Sequence, residues 1–341
     1  MPLRCMEASR MTRRELEALL PKLDDARVAL IGDLCLDIYW DADMKKSELS
    51  RETPHHPLPI VSERFNPGGA SNVAANIWAL RPNVLCVLGV IGDDWRGGEL
   101  MNVLSERGID TGHIVKDPDR VTNAYIKPMR HGISDVVYED PRIDFENYLP
   151  LSAQTEDRLI RAIDEVSKKV NVICVSDQLR CGCITSRVRE HLCKLGRDGM
   201  TVIVDSRDRA AEYSYVTVKP NEIEASRAFA DGSELDIERL SKLAADIAAR
   251  NHRTTLTTLG SKGCLVVSDG TLTHCPACAV EPPIDFCGAG DTFLSCFGTF
   301  LSAGASAVDA ARAANLASSV TIKKIGTTGT ATREELLSAA F

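Results

Sequence analysis

From residue 150 onward, apolar positions switch regularly between two spacings. Leu159, Ile160, Ile163 and Val166 recur at helical intervals, and Val170 to Val175 is a short continuous apolar run that predicts a buried strand. Val188, Leu192 and Leu195 predict the next helix, ending at Gly196 before a strand over 201–204. A strand over 216–219, a long helix carrying Ile237, Leu240, Leu243, Ala244 and Ile247, and a strand over 254–258 continue the series. A hairpin turning at Asp269-Gly270 follows. Phe293, Cys296, Phe297, Phe300 and Leu301 predict a buried helix beginning near Gly288, with an Ala-rich helix over 306–322 behind it.

The first half is less regular. Leu16, Leu19, Leu20 and Leu23 mark a short helix within an N-terminal extension, residues 1–24. Residues 27–31 and 84–90 read as core strands; Val73, Ile77 and Leu80 mark a helix, and another ends near Gly108. Alternating strands and helices of this length predict a single α/β domain over 1–341, a doubly wound, mainly parallel sheet with helices on both faces. Two segments depart from it. Residues 41–66 are charged and Pro-rich around Leu58, Ile60 and Val61, and residues 112–138 hold short alternating strands with one wet face. Together they predict a small β-sheet lid.

A formal net charge of −8 and a pI near 5.5 argue against general binding to nucleic acid or anionic membranes. The absence of an eighteen-residue apolar run and the polar first fourteen residues lead us to expect a cytoplasmic protein. Of the twelve cysteines, Cys181-Gly-Cys183 and Cys275-Pro-Ala-Cys278, the latter beside His274, have metal-ligand spacing. A zinc site would need these distant pairs to meet; idle thiols are the ordinary case in a reducing compartment.

Five stretches carry candidate chemistry. Asp285-Phe-Cys-Gly-Ala-Gly-Asp291 opens the buried helix, where two glycines leave backbone N–H groups uncovered and the helix dipole favours an anion. A transferring phosphoryl group spreads charge over its peripheral oxygens and needs such donors. Asp291 stands beside them, able to take a proton from an attacking hydroxyl; a Gly-rich turn with an Asp near the N-cap is the plain alternative. Gly32-Asp33…Asp37 follows the first strand, at the end where ligands collect in α/β sheets. Pro67-Gly68-Gly69…Asn72 lets backbone approach a ligand closely. Asn221…Glu224 follows another strand, and Thr258-Leu-Gly260-Ser-Lys-Gly263 is a Gly-rich turn suited to nucleotide phosphates.

In this order the five stretches resemble the ribokinase-like (PfkB) carbohydrate kinases, from about residue 27 to 338. The resemblance implies Asp291 as catalytic base, with Gly288, Ala289 and Gly290 as the anion hole. Asp33, Gly68, Gly69 and Asn72 would bind the sugar, Asp33 reading hydroxyls. Asn221, Glu224, Thr258, Gly260, Gly263 and Asn315 would bind ATP, Glu224 helping to place Mg2+ through an indirect contact. Asp285 matches a position that helps hold a monovalent cation, K+ being the expectation.

Within the family, the nearest likeness is to heptose 7-phosphate kinases of the ADP-heptose pathway. It rests on residues 32–40, 49–54 followed by 57–61, 66–74 and 324–330. Departures are Phe286-Cys287 where members carry Thr before Gly-Ala-Gly-Asp, Asp177-Gln-Leu-Arg-Cys-Gly182 where they have Asp-Tyr-x-Lys-Gly, and Asp205-Ser-Arg207 where they have Asp-Pro-Lys. Arg51, Lys127, Arg130, Arg180 and Arg207 are candidates for a substrate phosphate. Some relatives continue into a nucleotidyltransferase domain with a His-x-Gly-His motif; this chain has no such motif, so kinase activity alone is expected. The expected partners are a sugar or sugar phosphate and a second copy of the chain, paired through lid strands. Alternatives are a kinase for an unphosphorylated sugar such as fructose or ribose, or for a nucleoside, and a catalytically silent sugar- or nucleotide-binding regulator. A dehydrogenase is a weaker rival, because no Gly-x-Gly-x-x-Gly follows the first strand.

Overall fold

Along the strand Arg27–Gly32, Val28 and Leu30 face one apolar layer while Ala29 and Ile31 face the other. A strand buried on both faces belongs inside a sheet covered by helices on both sides. The structure, a computed structural model, describes residues 5–132 and 136–341; residues 1–4 of the predicted extension and 133–135 of the predicted lid lie outside the described residues. The main sheet has ten strands. In spatial order they are Cys5–Glu7, Thr271–Cys275, Cys264–Ser268, Thr255–Thr258, Thr217–Val218, Thr201–Ser206, Val172–Asp177, Arg27–Gly32, Val84–Gly92 and Ile114–Asp117. Among the described residues, Cys264–Ser268 is the one strand of this sheet that runs against its neighbours.

One layer contains the helices Ala70–Ala79, Ala289–Ser302 and Ala307–Thr321; the other contains Ala153–Val166 and Ser186–Arg197. The helix Ala289–Ser302 is apolar nearly all round because it is sandwiched between the sheet and the other two helices of its layer. Its fully buried Phe297 and Phe300 contribute about 1.5–3 kcal/mol each. The N-terminal helix Arg13–Leu19 starts with a capping box between Thr12 and Glu15 and is pinned by buried Arg312, which pairs with Glu15 at 2.7 Å. No helix among the described residues is long and apolar enough to cross a membrane.

The second sheet differs in detail from the predicted lid. Leu34–Asp43 is its central strand, antiparallel to Ile60–Gly69 and parallel to Asn123–His131, to which Val137–Glu139 and Ile143–Phe145 are added. The chain thus passes from one sheet into the other at Asp33. Ile114–Asp117, expected in the lid, pairs instead with Val84–Gly92 at the edge of the main sheet. An edge strand also has one wet face, so alternation alone could not separate the two placements. The strand Cys5–Glu7 and the closing helix Arg333–Ala339 were not foreseen.

Candidate active site

Asp291 lies in the first turn of the helix Ala289–Ser302, whose N-cap, Gly288, has φ +79°. That left-handed conformation suits glycine, and a Cβ there would stand 2.9 Å from Asn72 Nδ2. Asn72 Nδ2 donates to Asp291 Oδ2 at 2.8 Å, linking the helix Ala70–Ala79 to the helix of the base. Asn76 donates in turn to Asn72 Oδ1 at 3.2 Å and accepts from Thr292 Oγ1 at 3.1 Å, which fixes the orientation of the Asn72 amide. Burial raises the pKa of Asp291 to about 7; Asn72 and Lys219 oppose the rise and Asp205 adds to it. A carboxylate with that pKa can both hold and release a proton near neutrality. Of the predicted anion-hole amides, Ala289 N–H is committed to the Phe286 carbonyl at 3.1 Å. Among the described residues the N–H groups of Gly288, Gly290 and Asp291 have no acceptor, so they carry the anion-binding capacity.

A cavity of about 720 Å³ opens in front of these amides. All six predicted ATP residues line it: Asn221, Glu224, Thr258, Gly260, Gly263 and Asn315. The Asn-x-x-Glu spacing is also a capping box. Asn221 Oδ1 accepts from Ile223 and Glu224 N–H, and Glu224 Oε2 accepts from Asn221 N–H at 2.9 Å. Both side chains are thereby locked, and Glu224 Oε1 stays uncommitted among the described residues. Asn315 Nδ2 donates to the carbonyls of Cys275 at 3.0 Å and Pro276 at 3.3 Å, tying the cavity's far wall to the Ala-rich helix.

The two early carboxylates have different surroundings. Asp33, expected to read hydroxyls, accepts three loop amides: Gln178 and Leu179 on Oδ2 at 2.9 and 2.7 Å, and Cys183 on Oδ1 at 2.7 Å. Both of its oxygens are thus engaged. Asp37 is the one beside Gly68, where any Cβ would overlap its carboxylate. It pairs with Lys127 at 2.8 Å, Lys127 also donates to Tyr39 Oη at 3.0 Å, and the Asp37 charge reaches both Cys287 and Asp291. Lys127 is therefore neutralised as a phosphate candidate, and Arg130 is paired with Asp140 at 2.9 Å. Arg51, Arg180 and Arg207 are exposed and have no ion pair among the described residues. Gly69, at φ +50°, closes the small-sheet strand onto the helix holding Asn72.

Four residues of the site were missed or underweighted. Asp37 was named but not assigned. Lys219 and Asp205 form a buried ion pair at 2.9 Å, each 3.9 Å from where a Cβ on Gly290 would stand. Burial works against the Lys219 ammonium, but Asp205 and Glu224 outweigh it and hold its pKa above the usual value. Gln178 lines the cavity and donates to the Asp205 carbonyl at 3.2 Å. A lysine ending an apolar strand one residue before Pro220-Asn221 was the signal available for Lys219.

For a divalent cation carried in on the nucleotide phosphates, Glu224 fits as a single protein donor: its Oε1 is uncommitted among the described residues, and a cation would relieve the repulsion from Asp205 that, after burial, raises its pKa. Asp285 secures two turns: its Oδ1 accepts from Cys287 N–H at 2.9 Å and its Oδ2 from Gly326 N–H at 3.1 Å. Among the described residues no group of three or more His, Cys, Asp or Glu could hold a metal ion, and the two cysteine pairs do not form a zinc site.

The sequence pattern of the pfkB family carbohydrate kinase matches residues 25–333. The bifunctional protein HldE of Geotalea uraniireducens (strain Rf4) is 34% identical over 326 residues, spanning 93% of this chain and 64% of that protein. Its counterpart in Geobacter metallireducens is 30% identical over 338 residues, spanning 97% and 66%. The chain thus covers just under two thirds of the length of these curated relatives. Among solved structures, phosphofructokinase-2 from Escherichia coli in complex with substrates and products superposes with a TM-score of 0.73 at 19% identity, over 92% of this chain and 98% of that one. Ribokinase of Arabidopsis thaliana complexed with ribose and ATP gives 0.69 at 18% identity, over 93% and 99%. These two share the fold.

Proposed function

We propose, from the premise that the chain belongs to the pfkB family of carbohydrate kinases and is a phosphotransferase with an alcohol group as acceptor, that it uses ATP to phosphorylate a sugar that already carries a phosphate, of the heptose 7-phosphate type. The observation that carries this reading is Asp291: a carboxyl with a pKa near 7, held by Asn72 at the mouth of a nucleotide-sized cavity beside three uncommitted amides. In the proposed reaction Asp291 removes the proton from the acceptor hydroxyl, whose oxygen forms the new P–O bond as the bond to ADP breaks. The Gly288, Gly290 and Asp291 amides and Lys219 take up charge on the transferring group. Glu224, oriented by Asn221, would hold Mg2+ with the nucleotide through its uncommitted Oε1, and Mg2+ would supply charge neutralisation on the phosphates. Gly68, Gly69, Asn72 and Asp37 would position the sugar, and the small sheet would exclude water. Arg180 and Arg207 are the proposed partners of the sugar's phosphate. A homodimer through the small sheet's edge strands, Ile60–Gly69 and Val137–Glu139, belongs to the same reading.

The test is ADP release from Mg-ATP over a panel containing heptose 7-phosphate, fructose 6-phosphate, fructose and ribose, beside Asp291→Asn. Turnover on heptose 7-phosphate that disappears in the variant supports the proposal. Turnover on free sugars alone supports the second reading, a kinase for an unphosphorylated sugar. That reading is favoured by the pairing of Lys127 and Arg130, which removes two of five candidate phosphate ligands.

A further inference from the structure

The loop 178–183 leaves the C-terminal end of the central strand Val172–Asp177, and its main chain is held by charged side chains from three other segments. Asp33, between the two sheets, accepts the amides of Gln178, Leu179 and Cys183. Arg209 donates to the Leu179 carbonyl at 2.7 Å while also binding the Asp177 carboxylate. Arg120 donates to the carbonyl of Cys181 and, at 2.9 Å, to that of Leu149. Three buried or half-buried charges spent on one six-residue loop are far more than a surface turn needs. The loop's own polar side chains are left outward. Gln178 lines the cavity, and Arg180 is exposed with no ion pair among the described residues.

Gly182 completes the lock. A Cβ at that position would overlap the Asp33 carboxylate, so only glycine lets the loop close over it. Asp33 itself is anchored by its backbone: its N–H donates to the Ser176 carbonyl at 3.1 Å and its carbonyl accepts from Ala70 N–H at 3.0 Å. The same residue therefore ties the loop 178–183 to the first residue of the helix that carries Asn72 and, through it, to Asp291.

We propose that Asp33 is a positioning residue for the phosphotransfer, acting through the loop 178–183 to hold Arg180 where it meets a phosphate on the acceptor sugar, and that Gly182 is required for that hold. This rests on the phosphorylated-acceptor reading above. It differs from a sugar-binding role, because a buried carboxylate with three of its about four acceptor sites filled by amides has little capacity left for hydroxyls.

The experiment compares wild type with Asp33→Asn, Gly182→Ala, Arg180→Ala and the Asp33→Asn/Arg180→Ala double variant. It measures KM for heptose 7-phosphate and for ATP, kcat, and amide hydrogen exchange over 178–183. Arg180→Ala, which removes no buried contact, is expected to raise the acceptor KM tenfold or more with the ATP KM within twofold. Asp33→Asn and Gly182→Ala are expected to do the same and to speed exchange at Gln178, Leu179 and Cys183. In the Arg180→Ala background, Asp33→Asn should raise the acceptor KM by no more than about twofold further, because both changes remove one interaction. Multiplying effects in the double variant, or equal losses toward ATP and acceptor, would overturn the proposal. If wild type turns over no sugar phosphate, the phosphorylated-acceptor reading fails and the catalytic part of this proposal fails with it. The exchange data then decide the lock separately: unchanged protection in Asp33→Asn would refute that as well.

Discussion

Removing the Asn72 side chain should move the acid limb of the pH–rate profile upward. Asn72 Nδ2 donates to the ionised form of Asp291 at 2.8 Å, and this bond opposes the burial that lifts the carboxyl to about 7. A hydrogen bond to a charged group contributes about 1.5–3 kcal/mol, and one pKa unit corresponds to about 1.4 kcal/mol, so its loss raises the pKa by about 1–2 units. Water entering the space left by Asn72→Ala would recover part of that, which makes a shift of about one unit the expected result. A general base acts deprotonated. Below its pKa, kcat/KM therefore falls tenfold per pH unit, and the limb should move from near pH 7 to near pH 8. The assay is initial-rate ADP release from pH 5.5 to 9.5 with saturating Mg-ATP and subsaturating sugar, which reports the enzyme before acceptor binding. Asn72 is also a proposed sugar contact, so the plateau will drop; the position of the limb is independent of its height. A limb that stays in place or moves down would refute the assignment of Asp291 as the titrating base held by Asn72.

Much of this site could be read directly from sequence, because its parts are local. Gly288 through Asp291 open a helix whose apolar face is written in Phe293, Phe297 and Phe300, so helix start, candidate anion site and proposed base fall within four residues. The βα alternation after residue 150 was equally plain, since its central strands hold uninterrupted apolar runs such as Val172 to Val175 and Val202 to Val204. What could not be read depends on partners far along the chain. Asp33 and Asp37 are two carboxylates four residues apart in one motif, and only the loop amides near residue 180 decide that Asp33 is saturated while Asp37 faces Gly68. Lys127 and Arg130 looked like free cations until Asp37 and Asp140 were placed beside them. Asn221 and Glu224 combine two roles in one spacing: three residues is both the N-cap to N3 distance and the family's motif, so capping and cavity lining coincide. The edge strand Ile114–Asp117 escaped for a different reason, since strand periodicity reports which faces are wet but never which sheet a strand joins.

Two further outcomes follow from buried charge. Asp291 has a folded-state pKa of about 7 against an ordinary 3.8, so its ionised form is penalised in the folded protein. The corresponding stability is complete below about pH 3.8 and is lost as pH rises through about 7, up to about 4 kcal/mol in all. Asp291→Asn, the variant proposed to abolish turnover, should therefore raise Tm at pH 8, with the gain shrinking toward zero near pH 4; an unchanged or lowered Tm at pH 8 would contradict the burial of an ionised Asp291. The second outcome concerns the N-terminal helix. Arg312 joins Glu15 and Asp309 to the carbonyls of Ser9 and Arg10, so Arg312→Ala should cost about 2–3 kcal/mol and expose residues 9–20 to limited proteolysis before global unfolding. Here the sign of the pH dependence is the reverse of that for Asp291. The bonds from Arg312 and Thr12 hold Glu15 at about 2, below its usual 4.5, so this stabilisation is present above pH 4.5 and is lost as pH falls through about 2. The Tm difference between wild type and Arg312→Ala should accordingly narrow on acidification over that window. A constant difference would mean that Arg312 holds the helix through the Ser9 and Arg10 carbonyls alone, with Glu15 contributing nothing.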